Sequence, residues 1–304
     1  MKKTIGFMGL GKMGQNMVMH LLSKNYQIVA YNRSQKPIKQ LEKKGATPSY
    51  SIKELIEKLP KSKIIIMMLT AGQPVGNAIA NLLPYLNKGD IIIDGGNSFY
   101  KDSIRRYNLL KKKEIYLIDL GISGGIEGAR NGASLMIGGD KSSFKKIEYL
   151  FKDLAVKEGY AYLGPSGAGH FAKMIHNGIE YVMLETYGEG FELLEKSKYK
   201  YEYKDIAKVW NHGSVIRSYI TELIERVFMK NPHLRGVQGI IGGGETGAWS
   251  YEFAKSVKGD VESLKHALEK RKLSKSKQTF STKLISILRH EFGSHILEEI
   301  KKSK

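Results

Sequence analysis

The 304-residue sequence has no cysteine, and its acidic residues (30) are far fewer than its lysines and arginines (49). Without cysteine the chain forms no disulfide bond, which is typical of proteins of the cytoplasm, where we expect this one. No apolar run is long enough to cross a bilayer. Because glycines interrupt the apolar segment near the start, we expect neither a membrane-spanning segment nor a signal peptide.

The shortage of acidic residues leaves a formal net charge of +19, which has two interpretations. A basic surface can attract polyanions or anionic metabolites. Alternatively, the lysines cover solvated helix faces, because they are scattered along the chain and form no dense basic block. A nucleic-acid-binding protein would gather basic and aromatic residues on one face. We therefore expect a small anionic molecule as the partner rather than nucleic acid.

The apolar residues among the first 165 positions follow two alternating patterns. Short runs rich in Ile and Val are typical of buried parallel strands, and amphipathic stretches of helical period separate them. This alternation predicts an α/β fold: a Rossmann-type, doubly wound parallel sheet over residues 1–165, with its ligand at the carboxyl ends of the strands. The predicted strands are residues 4–10, 27–31, 63–69, 90–94, 115–120, 134–137 and 161–163.

The pattern changes after the turn sequence at residues 164–167. Residues 171–196 predict one long helix without proline, and the sequence that follows is almost entirely helical in pattern. Pro232 and the glycines at 239–247 interrupt it. We therefore predict a second, all-α domain over residues 166–304.

A glycine-rich turn joins the first predicted strand to the first predicted helix. Its residues, Gly9-Leu10-Gly11-Lys12-Met13-Gly14, fit the G-x-G-x-x-G pattern in the strand–turn–helix context that makes the pattern credible. The first glycine permits the tight turn, the second lets the backbone approach a pyrophosphate, and the third lets helix and strand pack closely. The helix N-terminus then favours the phosphates. The sequence therefore predicts a dinucleotide site here.

The end of the second predicted strand indicates which dinucleotide is bound. Tyr31 is followed by Asn32, Arg33 and Ser34, whereas an NAD site usually carries an acidic residue here for the ribose 2′-hydroxyl. A guanidinium beside two small polar groups suits a 2′-phosphate instead. This favours NADP over NAD, unless Arg33 simply lies on a solvated turn.

One face of the predicted long helix is polar and ionisable. Lys173, His176, Asn177, Glu180 and Tyr181 have the spacing that places them on a single face. In a partly desolvated cleft, such a lysine can act as a base and such a glutamate as an acid, while His and Asn hold hydroxyl groups. The alternative is an ordinary solvated face. We find no spacing typical of a metal site and expect no metal.

Several segments resemble one enzyme family, 6-phosphogluconate dehydrogenase in its short bacterial and archaeal form. The resemblance covers essentially the whole chain, and the run HNGIEY at 176–181 is highly specific. Relatives that oxidise simple 3-hydroxy acids share the glycine fingerprint but typically carry Lys-x-x-Asn-Asn in this helix. The segments are GLGKMG at 9–14, DGGNS at 94–98, ISGGIEGA at 122–129, GAGHFAKMIHNGIEY at 167–181, VIRS at 215–218 and RHEFGSH at 289–295.

The resemblance implies the oxidative decarboxylation of 6-phosphogluconate to ribulose 5-phosphate and CO2, a step of the pentose phosphate pathway, with NADP or NAD as hydride acceptor. It implies that Lys173 takes the proton of the 3-hydroxyl and that Glu180 protonates C1 of the enediol. The other residues that it implicates are Asn97, Ser123, Gly124, Gly125, His176 and Asn177 for the carboxylate and hydroxyls; Tyr181, Arg217, Arg289 and His295 for the phosphate; and Leu69, Thr70 and Asn97, beside the fingerprint and residues 32–34, for the cofactor.

The resemblance also implies an oligomer. In the family, the counterparts of Arg289 and His295 come from the neighbouring subunit, so the minimal active unit would be a homodimer, with the helical domain binding substrate and forming the dimer. The chain departs from the long family members, however. Ala248 stands where they carry a lysine near the phosphate, and the chain is much shorter, so we expect one helical domain where they have a duplicated one.

Two alternatives remain open. The first is a dehydrogenase of a different 3-hydroxy acid that does not decarboxylate its product, although an unphosphorylated substrate would not need Arg217, Arg289 and His295. The second is a basic nucleic-acid-binding protein on a Rossmann scaffold, which the scattered charge disfavours.

Overall fold

The structure is a computed structural model that describes residues 3–293. The chain divides into two compact units, residues 1–174 and 175–304, and the division falls inside one long helix, α8 (Ala168–Lys196). The domain boundary that the sequence predicts, after residue 165, lies a few residues before the start of this helix and stays a prediction. No helix in residues 3–293 has both the length and the apolar character that a membrane span requires.

The first unit is built on an eight-stranded sheet in the order β3-β2-β1-β4-β5-β6-β7-β8. The strands from β3 to β6 are all parallel, whereas β7 runs antiparallel to β6 and β8 runs parallel to β7. The strands are β1 (Thr4–Met8), β2 (Gln27–Tyr31), β3 (Thr47–Ser49), β4 (Ile64–Met67), β5 (Ile91–Asp94), β6 (Tyr116–Ser123), β7 (Ala133–Gly139) and β8 (Ala155–Gly164).

Helices cover both faces of this sheet, which is why its strands are apolar at nearly every position. Alternate residues of one strand belong to different core clusters: Ile66 and Ile93 pack into one cluster, and Ile65 and Ile92 into the other. The helices of this unit are α1 (Lys12–Ser23), α2 (Gln35–Glu42), α3 (Ile52–Glu57), α4 (Gln73–Leu82), α5 (Tyr100–Lys111), α6 (Gly125–Asn131) and α7 (Lys141–Leu154), followed by the start of α8. The predicted doubly wound fold is confirmed.

The regular secondary structure of the second unit consists of helices joined by loops in its described residues, as the sequence predicts. Its core forms around the stacked rings of Phe191 and Phe228, which are both fully buried, together with apolar residues of two further helices and of one loop. After α8, the helices are α9 (Tyr203–Asn211), α10 (Tyr219–Lys230), α11 (Glu245–Ser256), α12 (Glu262–Leu273) and α13 (Phe280–Gly293).

Candidate active site

The glycine fingerprint has the geometry that a dinucleotide requires. Gly9 has a φ of +93°, and a Cβ there would lie 2.3 Å from the carbonyl oxygen of Met68. A Cβ on Gly14 would lie 2.0 Å from the carbonyl oxygen of Gly9, so this position also needs glycine. At Gly11, which caps the N-terminus of α1, a Cβ would meet no atom within 4 Å. Two glycines therefore serve packing, and the middle one leaves room for a ligand beside a helix N-terminus.

Asn32 joins this turn to the end of β2. Its side-chain oxygen accepts a hydrogen bond from the backbone N–H of Leu10 at 3.0 Å, and its amide nitrogen donates to the Ser34 hydroxyl at 2.9 Å. The side chain of Asn32 therefore helps to orient the fingerprint through these two hydrogen bonds. Arg33 and Ser34 are exposed at the same edge of the sheet. A role for Arg33 at a 2′-phosphate stays a prediction.

Three loops meet at the carboxyl ends of β1, β4 and β5. A Cβ on Gly9 would lie 2.9 Å from a methyl group of Leu69, and a Cβ on Gly96 would lie 2.5 Å from the carbonyl oxygen of Leu69. The structure thus brings the fingerprint next to the loops that contain Leu69, Thr70 and Asn97. Asn97 is exposed between buried neighbours, so its amide is accessible at the edge where the sheet binds ligands.

The N-terminus of α8 is fixed to strand β6. The buried carboxylate of Asp119 accepts hydrogen bonds from the backbone N–H groups of Gly167, at 2.7 Å, and His170, at 3.0 Å. One turn further along the helix, a Cβ on Gly121 would lie 2.5 Å from the Cβ of Lys173, so only glycine permits this contact. Lys173 is therefore held, half-buried, against β6, two residues before that strand ends at Ser123.

The turn after β6 consists of two glycines with left-handed backbones. Gly124 has a φ of +118° and Gly125 a φ of +62°, and Gly125 is the first residue of α6. Residues with side chains rarely adopt such angles. The sequence therefore fixes a tight glycine turn of half-buried residues directly after Ser123, at the start of α6, which is a suitable place for the carboxylate of a substrate.

The later part of α8 carries a polar network in the second unit. His176 Nδ1 lies 3.1 Å from Asn177 Oδ1 and 4.0 Å from Glu180 Oε2. Asn177 donates to the hydroxyl of Thr246 at 3.2 Å, and the hydroxyls of Tyr181 and Thr246 are 3.1 Å apart. The structure thus brings together four of the five residues predicted from helical spacing and adds Thr246, which the sequence analysis missed.

Two buried arginines lie beside Tyr181, and we call them the arginine pair. The guanidinium carbon of Arg271 is 3.8 Å from the centre of the Tyr181 ring, and its Nη1 donates to the carbonyl of Gly242 at 3.1 Å. Arg289 approaches the same loop, because a Cβ on Gly243 would lie 3.1 Å from its Nη2. Only 5% of Arg271 and 7% of Arg289 is exposed.

The electrostatics of the arginine pair favour an anion. Burial, together with the positive charge of Arg271, lowers the pKa of Arg289 to about 10. Burial likewise lowers the pKa of Arg271, while Tyr181 and Glu180 act in the opposite direction. Two like charges in a desolvated place are stabilised when an anion binds between them.

The sequence analysis did not identify Arg271 and named Arg217 instead. Arg217 is exposed on the turn before α10, and its backbone N–H donates to the carbonyl of Ser214 at 3.3 Å. No contact in residues 3–293 connects its side chain to the arginine pair, and its role at the phosphate stays a prediction. His295 lies outside the described residues. Arg289, by contrast, reaches Arg271 and Tyr181 of its own chain.

Side chains that could ligate a metal do not cluster in the described part of the chain: no group of three or more His, Cys, Asp or Glu residues occurs there. The first unit instead offers a lysine near a strand end. The second unit offers a His–Glu pair on a helix and buried guanidinium groups.

Comparison with known proteins identifies relatives over the whole chain. Residues 4–164 match the family model of the NAD-binding domain of 6-phosphogluconate dehydrogenase, and residues 169–304 match the model of its C-terminal domain. The chain is 44% identical, over 97% of its length and 99% of the other protein, to YqeC of Bacillus subtilis, which carries that enzyme name provisionally. It is 36% identical, over 96% of its length and 97% of the other protein, to an NAD(+)-dependent, decarboxylating 6-phosphogluconate dehydrogenase of Haloferax volcanii.

Solved structures show the same fold. A 6-phosphogluconate dehydrogenase of Plasmodium falciparum, studied with NADP+ and with 6-phosphogluconate, superposes with a TM-score of 0.81 at 29% identity, over 99% of this chain and 67% of that one. A 3-hydroxyisobutyrate dehydrogenase of Mycobacterium tuberculosis superposes with a TM-score of 0.74 at 20% identity, over 95% of this chain and 100% of that one. The second likeness shows the fold alone.

Proposed function

Because the chain belongs to the 6-phosphogluconate dehydrogenase family of NAD(P)-dependent oxidoreductases, we propose that it oxidises 6-phosphogluconate and decarboxylates the product to ribulose 5-phosphate. The observation that carries this proposal is the buried arginine pair beside Tyr181. A substrate with a phosphate at one end supplies the dianion that two desolvated guanidinium groups require.

The first step removes hydrogen from C3 of the substrate. The hydride leaves C3, and Lys173 takes the proton of the 3-hydroxyl as general base. The position of Lys173 supports this role, because Gly121 and the Asp119 cap fix the start of α8 and therefore the lysine backbone. When bound, the nicotinamide ring accepts the hydride.

The second step breaks the bond between C1 and C2 of the resulting 3-keto acid. CO2 leaves, and the bonding electrons move toward the carbonyl at C3, which gives an enediol. Protonation of its terminal carbon, C1 of the five-carbon product, yields ribulose 5-phosphate. Glu180 lies two helical turns from Lys173, about 10–11 Å along the helix axis, and is our candidate for the acid.

The remaining groups would hold the substrate in place. Asn97, His176 and Asn177 are suited to the hydroxyls, and the N–H groups of the turn after Ser123 are suited to the carboxylate. At the phosphate end, Arg271 and Arg289 supply the charge, and they offer a physical replacement for the lysine that is absent at Ala248. Arg217 and His295 remain candidates there.

The cofactor is a nicotinamide dinucleotide bound at the glycine fingerprint, and we propose NADP as the preferred form. This preference rests on Arg33, which is exposed at the end of β2 where no acidic residue follows the strand. We also propose a homodimer as the functional unit, which sedimentation of the purified enzyme with and without substrate would test.

A steady-state assay tests the proposed reaction directly. The purified enzyme is given 6-phosphogluconate, gluconate or 3-hydroxyisobutyrate with NADP or NAD, and reduced cofactor and CO2 are measured together. We expect one CO2 per reduced cofactor with 6-phosphogluconate and little activity with the unphosphorylated acids. Equal activity with 3-hydroxyisobutyrate, or reduction of cofactor without CO2, would instead support a non-decarboxylating dehydrogenase.

A further inference from the structure

We propose that Arg106, a buried residue of α5, is a positioning residue that holds the loops after β4 and β5 in their binding geometry. The inference rests on the proposed function only in that these loops contain Leu69, Thr70 and Asn97. Arg106 itself is only 4% exposed, so it offers little surface to a ligand. Its effect on binding would therefore pass through the two loops.

The first contact of Arg106 is with the loop after β5. Its Nη1 lies 3.5 Å from the Oδ2 atom of Asp94, the last residue of that strand, which is fully buried. The Asp94 carboxylate accepts hydrogen bonds from the backbone N–H of Gly96, at 3.1 Å, and from the hydroxyl of Ser98, at 2.8 Å. Asp94 therefore binds the residues on both sides of Asn97, and Arg106 balances its charge.

The second contact of Arg106 is with the loop after β4. Its Nη2 donates a hydrogen bond of 2.7 Å to the carbonyl oxygen of Gly72, which caps the N-terminus of α4 with a φ of +85°. Gly72 ends the short segment that contains Leu69 and Thr70. A single guanidinium therefore connects the two loops, which also touch each other directly, because a Cβ on Gly96 would lie 2.5 Å from the Leu69 carbonyl.

The details of these contacts favour a positioning role over a purely stabilising one. The buried Nε and Nη1 atoms of Arg106 have no hydrogen-bond partner among the described residues, and each such donor costs free energy. A buried ion pair is in general close to neutral for stability when compared with apolar residues. An arginine placed there thus contributes little net stability but fixes a geometry, because its planar guanidinium forms an ion pair with Asp94 and a hydrogen bond with the Gly72 carbonyl.

The substitution Arg106→Lys tests the proposal with little risk to folding. It keeps a positive charge near Asp94, but a lysine is a point charge without the guanidinium fork that spans Asp94 and the Gly72 carbonyl. Arg105→Lys is the matched control, because Arg105 is on the same helix, is exposed, and forms a salt bridge of 3.0 Å with Asp102 that a lysine can keep. Ser98→Ala is a second variant, which removes one hydrogen bond to Asp94 without changing any charge.

Two readouts separate positioning from folding. The first is the Kd of NADPH and of NADH without substrate, from the fluorescence of the reduced nicotinamide, and the second is kcat and KM with 6-phosphogluconate. For Arg106→Lys we expect Kd to rise about 2- to 30-fold at an unchanged melting temperature. For Ser98→Ala we expect the cofactor Kd to rise by a factor in the same range, and kcat to fall roughly tenfold or more, through a displaced Asn97. Arg105→Lys should match wild type in all measurements.

The proposal is overturned if folded Arg106→Lys binds both cofactors within twofold of wild type. If Arg106→Lys does not fold, the cofactor Kd of Ser98→Ala decides alone, and a value within twofold of wild type overturns the proposal. The cofactor titration needs no substrate, so it remains decisive even if 6-phosphogluconate is not oxidised, and failure of the proposed reaction is thus distinguished from failure of this inference.

Discussion

Replacing Arg271 with methionine should weaken the binding of 6-phosphogluconate through its phosphate. Only 5% of Arg271 is exposed, and its guanidinium stacks on the ring of Tyr181. One of its N–H groups donates to the Gly242 carbonyl, and its other N–H groups can donate to a phosphate. A charge-assisted hydrogen bond to a phosphate contributes about 1.5–3 kcal/mol, which corresponds to roughly 10- to 140-fold in affinity. We therefore expect KM to rise by that factor.

The effect on kcat should be much smaller. The phosphate is remote from C3, so its contact with Arg271 is equally present in the ground state and the transition state, and loss of such a contact raises KM without lowering kcat. Methionine also fills much of the arginine volume, and removing one of two neighbouring buried charges relieves repulsion within the arginine pair. We expect the variant to fold and to keep its melting temperature.

The assay compares Arg271→Met with two variants. Lys272→Met is the matched control, because it removes an exposed charge from the adjacent position of α12. Arg217→Met tests the residue that the sequence indicated. Each protein is assayed with 6-phosphogluconate and with gluconate, and only the phosphorylated substrate should respond to Arg271→Met. A KM within threefold of wild type for Arg271→Met, or a larger increase for Arg217→Met, would refute the assignment of the phosphate to the arginine pair.

Three further predictions concern the base, the cofactor and pH. Lys173→Met should lower kcat by at least about 100-fold with cofactor Kd unchanged, and a folded variant within tenfold of wild type in a steady-state assay would contradict its role as base. Arg33→Ala should raise the KM for NADP roughly 10-fold or more and leave the KM for NAD unchanged; a wild-type enzyme that prefers NAD would already exclude the idea. Burial and the nearby Arg271 lower the pKa of Arg289 to about 10. The buried charge therefore lowers the free energy of unfolding below about pH 10, and this destabilisation is lost as the pH rises above the pKa of Arg289 in the folded protein. The KM for 6-phosphogluconate should therefore rise between about pH 9 and 11 as Arg289 loses its proton. If the ratio of the KM values for 6-phosphogluconate and gluconate stays constant over this range, Arg289 does not bind the phosphate.

The fold could be predicted because its signals are local. A buried parallel strand is a short run of apolar residues, and a dinucleotide turn is a glycine pattern at a fixed place between strand and helix, so both are visible in a window of ten residues. Strand β3 was missed for the same reason. Its three residues, Thr47, Pro48 and Ser49, form no apolar run, and an edge strand that pairs on one side tolerates proline.

The polar face of α8 could also be predicted, since helical spacing is a local property. What the sequence did not show is its partner: Asn177 and Tyr181 bind Thr246, which is 65 or more positions away in the chain. The packing of Lys173 against Gly121 is also a non-local contact. A glycine in a predicted strand can indicate a close approach of another segment, but the sequence does not show which segment approaches it.

Arg271 shows the limit most clearly. It stands between Lys270 and Lys272, and three consecutive basic residues near the end of a helix are usually solvated. Helix geometry turns consecutive residues by about 100°, so one of the three can point inward while its neighbours stay in water. Which one does so depends on the packing of α12 against Tyr181, and the sequence pattern carries no information on that contact.

The choice between substrates within this fold is consequently an electrostatic matter. A 3-hydroxyisobutyrate dehydrogenase has the same architecture at a TM-score of 0.74, so strand order and helix count cannot distinguish a phosphorylated substrate from an unphosphorylated one. Buried charge can. The guanidinium groups of Arg271 and Arg289 are buried, and the charge of Arg271 contributes to the lowered pKa of Arg289. A dianion bound beside them would offset that repulsion, so we expect a phosphorylated acid to gain more from this place than an unphosphorylated one.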